Sequence, residues 1–316
     1  MKRSKITIVG AGNVGASVAM ECMRLGLGDI VLVDVADGIA AGKALDLLEA
    51  TPVLGLDVNV VGTSDYALTR YSDLIIITAG SARKPGMSRD DLLATNARVV
   101  SGVTEMVAPL SPDARIIVVT NPVDVLCSEV LRITGFPSER VLGLGGVLDT
   151  SRFRTFIARE LGVSVLDVQA LVLGGHGDDM VPLMRHASVG NVPLTELLPA
   201  ETLDRLVQRT RTGGAEIVSL LQTGSAYYAP AAAIAQMAAA IINDRKRLLP
   251  VAAFVRGEYG ERDQFLGVPA ILGARGVEQI VQLPLDPDEQ AALAKSAAAV
   301  RRTLSVLQSK GGQHSV

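Results

Sequence analysis

The sequence predicts an α/β protein, with a doubly wound parallel sheet in its first half and an α+β domain in its second. Three observations carry this. Short β-branched runs alternate with helical patterns over residues 1–145. The runs are apolar throughout rather than alternating, as in strands covered on both faces. The first run passes directly into Gly10-Ala11-Gly12-Asn13-Val14-Gly15, a glycine-rich turn that opens a helix.

Taken in order, Lys5–Val9, Ile30–Val33, Val58–Val61, Leu74–Thr78 and Arg115–Val119 read as strands, and Arg140–Leu144 as a sixth. The stretches Val14–Leu25, Ile39–Ala50 and Arg89–Val107 between them read as amphipathic helices. Strand–helix alternation of this kind means βαβ units and a parallel sheet. After Gly145 the rhythm changes. A helix near Asp149 stops at Gly162, and Val168–Leu173 is extended. A Gly-His-Gly turn follows, then a hairpin around Gly190-Asn191. Helical patterns cover Ala200–Leu221 and Ala231–Arg245, and extended segments include Val251–Arg256 and Ala270–Leu272. A last helix starts near Pro287. The chain thus divides into residues 1–145, residues 146–308 and a Gly-rich polar tail, 309–316, that frays. The Ala-rich stretch 231–242 is expected to be a tightly packed helix at a subunit contact.

Composition excludes several functions. Lys and Arg total 30 against 33 Asp and Glu, a net charge of −3. A polyanion binder needs a basic surface, so nucleic acid is not an expected partner. With five Phe, five Tyr and no Trp, few rings are available to stack on bases. The most apolar stretch, Tyr227–Ile242, is shorter than the roughly 20 residues a membrane span needs. The N-terminal segment is basic and then small and apolar, but Glu21 and Arg24 follow at once, unlike a secretory signal. Cys22 and Cys127 have neither metal-ligand nor disulfide spacing and read as buried free thiols. A soluble, cytoplasmic protein is expected, with no membrane partner and no metal.

In a glycine turn of this kind, the first glycine permits the bend and the second lets a pyrophosphate approach the backbone. The third packs the helix close, with its N-terminus facing the phosphates. Asp34 ends the second strand 19 residues beyond Gly15. A carboxylate there accepts from ribose hydroxyls and repels a 2′-phosphate, which favours NAD over NADP in a Rossmann domain. A nicotinamide cofactor implies hydride transfer and hence a proton acceptor. Of three histidines, His314 lies in the tail and His186 sits beside an apolar face. His176 lies in Gly174-Gly175-His176-Gly177-Asp178, where glycines leave the imidazole open, and it is the candidate.

Five motifs then appear in order: GAGNVG, TAGSARKPGMSRDD (78–91), TNPVD (120–124), LDTSRFR (148–154) and GGHGD (174–178). With them the chain resembles the lactate/malate dehydrogenase superfamily over nearly its whole length. Within it the chain is most similar to bacterial malate dehydrogenases of lactate-dehydrogenase-like type. The resemblance implies reversible NAD-dependent oxidation of (S)-malate to oxaloacetate, a tricarboxylic acid cycle reaction. It assigns His176 as proton acceptor and Asp149 as the carboxylate that orients it. Arg152, one helical turn beyond Asp149, grips the substrate's C1 carboxylate, as a planar guanidinium can with two parallel bonds. Arg89 polarises the substrate carbonyl from a closing loop, and Asn121 bonds the substrate oxygen. Gly10 to Gly15, Asp34, Asn96, Val119, Thr120 and Asn121 are the cofactor contacts.

Arg83 matches the position that discriminates substrates. A cation there pairs with the second carboxylate of a dicarboxylate, and facing pyruvate it would be left unpaired. Ala226 matches a position that is often a bulkier Thr in lactate enzymes. Arg83, Arg89 and Arg152 are expected to converge on one pocket. The competing readings are a lactate or other 2-hydroxyacid dehydrogenase, a non-catalytic NAD-binding protein and an NAD-dependent glycoside hydrolase. The resemblance also favours a homotetramer over a dimer.

Overall fold

The structure is a computed structural model that describes residues 3–81 and 88–311. The side chains of Asp37, Arg89 and Lys310 are outside that description.

Strand β1 (Lys5–Val9) is followed by α1 (Asn13–Arg24), β2 (Asp29–Val33), α2 (Asp37–Leu54) and β3 (Val60–Thr63). Then come β4 (Leu74–Ile77), α3 (Arg89–Val107), β5 (Arg115–Val118), α4 (Val123–Thr134) and β6 (Val141–Gly143). All six strands pair in parallel, in the order β3-β2-β1-β4-β5-β6. Every residue of β4 is buried, as a central strand with helices on both faces requires. The strand order reverses between β1 and β4. The crevice beyond the strand C-termini at such a switch point is where open α/β sheets bind ligands. The third strand lies two residues later than the sequence pattern suggested. Thr63 is buried at its end, whereas Val58 only packs against the core from outside.

The second half begins with α5 (Gly146–Leu161), which starts earlier than expected and stops at Gly162, a left-handed cap. Val168–Leu173 is not one strand. It is split into β7 (Val168–Gln169) and β8 (Val172–Leu173), and β8 pairs with β9 (Val181–Pro182). The hairpin at Gly190-Asn191 joins β10 (Ser188–Val189) to β11 (Val192–Pro193). Helices α6 (Leu194–Leu197), α7 (Ala200–Leu221) and α8 (Tyr228–Ile242) follow. Strands β12 (Arg247–Arg256), β13 (Arg262–Gly273) and β14 (Gly276–Ile280) precede the last helix, α9 (Pro287–Gly311).

Three differences from the sequence reading matter. First, β12, β13 and β14 do not form a separate sheet. They extend the parallel sheet antiparallel beyond β6, through Ala252 opposite Gly143, to nine strands. Second, α8 is buried by its own chain, against α1, α5 and β13. Ala231, Ala235, Ala238 and Ala240 are almost fully enclosed, so these small side chains serve close packing inside the subunit, while Tyr228 and Ala232 of the same helix are exposed. Third, α9 continues through Gly311, three residues into the segment expected to fray. His314 lies outside the described residues, which contain no helix long and apolar enough to cross a membrane. Cys22 and Cys127 are buried and free.

Candidate active site

The glycine turn closes β1 onto α1. Gly10 has φ +106°, where a side chain would be strained, and a Cβ there would stand 2.8 Å from the Ala79 amide. A Cβ on Gly15 would fall 1.9 Å from the Gly10 carbonyl oxygen, so this glycine is what lets α1 press against the turn. Around Gly12 a Cβ would meet nothing within 4 Å. No side chain caps α1, and its first turn holds no acid. The Asp34 carboxylate accepts from the Ala11 amide at 2.6 Å and from the Ala36 amide at 3.0 Å. Lys43 Nζ donates to the Ala11 carbonyl at 2.8 Å, so two side chains clasp the same residue of the turn.

The segment bearing His176 leaves β8 and is held by three successive amides. Gly174 N–H donates to the Gly267 carbonyl of β13 at 2.8 Å. Gly175 N–H donates to Ser296 Oγ of α9 at 2.9 Å, and His176 N–H to Asp124 Oδ2 of α4 at 3.0 Å. A Cβ on Gly175 would lie 2.7 Å from Val300, so the segment reaches α9 only because no side chain intervenes.

Asp149 sits in the first turn of α5, where the helix dipole favours a carboxylate. It is 1% exposed. Its Oδ2 is 2.7 Å from His176 Nδ1, and its Oδ1 accepts from Arg152 Nη1 at 3.1 Å. The i, i+3 spacing on α5 therefore places acid and guanidinium side by side as expected. Arg152 is mostly buried against Gly213 of α7, and its Nε has no partner among the described residues. His176 and Asn121 share the wall of a cavity of about 540 Å³ between the starts of α3 and α4, the His176 segment and α9.

Burial opposes a charge on His176. The Asp149 charge and hydrogen bond, with a smaller contribution from Asp124, outweigh burial and Arg152 and hold the imidazole above its ordinary pKa. Asp124 is 5% exposed and its Oδ1 has no partner among the described residues. Burial pushes its pKa up to about 6, against the pull of the His176 amide and charge.

Residues 4–143 match the family described as lactate/malate dehydrogenase, NAD binding domain, and residues 146–309 match that family's alpha/beta C-terminal domain. The chain is 55% identical to a malate dehydrogenase of Geobacillus thermodenitrificans (strain NG80-2), over 98% of this chain and 99% of the relative. The chain belongs to the lactate/malate dehydrogenase family. Its fold matches that of malate dehydrogenase from Picrophilus torridus in its apo form, with a TM-score of 0.95 and 47% identity, covering 98% of this chain and 99% of that one. It matches lactate dehydrogenase from Cryptosporidium parvum, complexed with lactic acid and NAD, with the same TM-score at 43% identity, over 98% and 99% of the two chains. Fold likeness thus spans both activities of the family.

The residues of this lactate/malate dehydrogenase family member fit the nicotinamide dinucleotide that the family's first domain binds. The open space over Gly12 admits a pyrophosphate to the backbone at an uncapped helix N-terminus. A carboxylate has about four acceptor sites, and Asp34 has committed two, which leaves acceptors for a ribose. Asn96 is buried where the segments after β4 and β5 meet. Its amide accepts from Ser81 N–H and donates to the Ser81 and Asn121 carbonyls, clipping the ends of β4 and β5 together. Thr120 Oγ1 bonds the Ala79 carbonyl beside it, and Val119 N–H bonds the Ile77 carbonyl. Ala226 is half-buried in the loop before α8 and is not part of the cavity wall. Arg83 lies outside the described residues, as does the side chain of Arg89, whose backbone starts α3. Arg152 is not among the residues that line this cavity. His186 is half-buried on a short turn and takes no part in the cavity. Asp124 had no assigned role in the sequence reading; its signals were its place at the end of the TNPVD motif and an acid inside the apolar run Pro122–Cys127.

Proposed function

We propose that the chain is an NAD-dependent malate dehydrogenase that interconverts (S)-malate and oxaloacetate. The observation that carries the catalytic reading is His176, held at Nδ1 by a buried carboxylate while its segment lines a cavity next to Asn121. The dicarboxylate reading rests on relatives named malate dehydrogenase at 54–57% identity over nearly the full chain, and on Arg83.

Gly12 and Asp34 would hold NAD, which when bound would supply the acceptor for the hydride leaving C2 of malate. His176, with Nδ1–H given to Asp149, keeps Nε2 free to take the hydroxyl proton as the C–O bond becomes a carbonyl. Asp149 fixes that tautomer and stabilises the imidazolium that forms. Arg152 receives the C1 carboxylate through donors that the single bond to Asp149 does not use, the unpartnered Nε among them. Asn121 bonds the reacting oxygen, Arg89 polarises it, and Arg83 holds the C4 carboxylate. Ala226 leaves room for the larger substrate. In this scheme residues 1–145 carry the cofactor and residues 146–308 the substrate machinery.

The enzyme is placed in the cytoplasm, in keeping with two buried free thiols. It works as a homotetramer. Support comes from α2, which is apolar on its outer side as well as its inner one: Ile39, Leu45 and Val53 on this one helix are each more than half exposed. Apolar residues clustered in this way on a surface mark contacts with partners, and light scattering on the purified protein gives the number of subunits.

Four rates from one preparation test the function: oxaloacetate or pyruvate, each with NADH or NADPH. Oxaloacetate with NADH is expected to dominate. Faster turnover of pyruvate would make this a lactate enzyme, and no turnover in any combination would leave a non-catalytic binding protein.

A further inference from the structure

The His176 segment is pinned at consecutive residues by two chemically different acceptors. A hydroxyl suffices at Gly175, where Ser296 Oγ takes the amide proton. At His176 the fold instead uses Asp124, a carboxyl almost entirely removed from solvent. One amide needs no charge, and a charge buried with one oxygen that has no partner among the described residues is costly. Burial that one amide bond only partly offsets points to a second beneficiary of that carboxylate.

The charged groups around His176 limit what it can be. From α5 come Asp149 and Arg152, and from α4 Asp124. Its own segment supplies Asp178 and Asp179, the latter paired with Lys295 of α9. Asp90 of α3 and Arg302 of α9 line the same cavity. Only Asp149 and Asp124 among these acids are buried and bonded directly to His176, one at the ring and one at the backbone. Their fields act together on an imidazolium, and Arg152 opposes them.

We infer that Asp124 is a positioning residue for His176 and that its buried charge, added to that of Asp149, stabilises the protonated imidazole. This rests on the malate dehydrogenase reading and adds a second carboxylate to it. The backbone bond fixes where the ring stands. The charge widens the pH range over which His176 holds the proton needed to reduce oxaloacetate. Asp124 withdraws its part of this support as it becomes protonated in acid.

The test is NMR titration of the full-length protein labelled at its three histidines, with the pH profile of oxaloacetate reduction alongside. Asp124→Asn keeps the shape and an acceptor oxygen but removes the charge. It is expected to lower the His176 pKa by about one unit and to move the alkaline limb of the profile down equally. Asp124→Glu should restore part of that shift. Ser296→Ala removes the neighbouring pin without a charge and should lower turnover while leaving the pKa in place. An unchanged pKa in Asp124→Asn, or an equal shift in Ser296→Ala, overturns the inference. If Asp124→Asn fails to fold, Asp124→Ser carries the same two outcomes. Should the wild type not turn over oxaloacetate, the functional reading fails, while the titration still decides the role of Asp124.

Discussion

Replacing Asp149 by Asn is the sharpest test of the proton relay. The substitution keeps shape and removes one charge from a site that is 1% exposed. Two losses follow. The imidazolium loses a carboxylate bonded at 2.7 Å; for charge centres about 4 Å apart at an effective dielectric near 20, that is worth about 4 kcal/mol. The Asn amide can also donate to Nδ1, leaving the proton on Nε2 and no base for malate. At 1.36 kcal/mol per decade the charge alone gives about 10³-fold, and the tautomer brings the expectation to about 10⁴-fold, as in other His–Asp relays. Because the substitution cannot alter the equilibrium constant between malate and oxaloacetate, kcat/KM must fall by the same factor in both directions at a given pH. The assay follows NADH absorbance forwards and backwards, with circular dichroism to check the fold. A loss below about tenfold in folded enzyme would refute the relay.

Other substitutions and conditions probe separate parts of the site. His176 lies above its ordinary pKa, so kcat/KM for oxaloacetate should fall as pH rises through that raised value, while malate, which needs the neutral ring, gains over the same range; two flat profiles would remove His176 as the proton carrier. Arg83→Gln should lower kcat/KM for oxaloacetate by about a hundredfold or more and raise that for pyruvate, as measured by steady-state rates. Gly12→Ala and Gly15→Ala should separate binding from folding. The first places a methyl in open space and should weaken NADH binding at unchanged Tm; the second drives a Cβ to within 1.9 Å of the Gly10 carbonyl and should lower Tm as well. Fluorescence titration and thermal melts read both, and normal NADH affinity in Gly12→Ala would mean that the space above it is not the cofactor's.

The parallel strands were legible because burial on both faces leaves a continuous apolar run, as in Leu74–Ile77. The dyad was legible because His176 and Asp149 each sit in a short distinctive motif. What escaped was non-local. Nothing near Ala252 states that it lies opposite Gly143, over a hundred residues away, so the sheet's extension could not be read from either segment. The helical pattern starts at Ala231, just after Pro230. Pro230 lies in the first turn, where an amide proton has no partner in the helix, so proline is tolerated there and the helix begins at Tyr228. Asp124 hid for a related reason: an acid among apolar neighbours gives no local hint that its partner is the backbone of residue 176.

The union of β6 with β12 bears on how this enzyme can be taken apart or recombined. The boundary between the two family domains falls just after Gly143, the residue that meets Ala252 across the sheet. A cut there would expose β6 as a new edge with unpaired backbone groups, which invites aggregation. Exchanging cofactor halves between relatives is therefore not a swap of independent modules. A Cβ at position 143 would come within 3.1 Å of Ala252 and 2.7 Å of Cys127. A chimera that keeps small residues on both sides of this seam retains the frame on which the His176 segment hangs, whereas one that does not loses catalysis without any change to a catalytic residue.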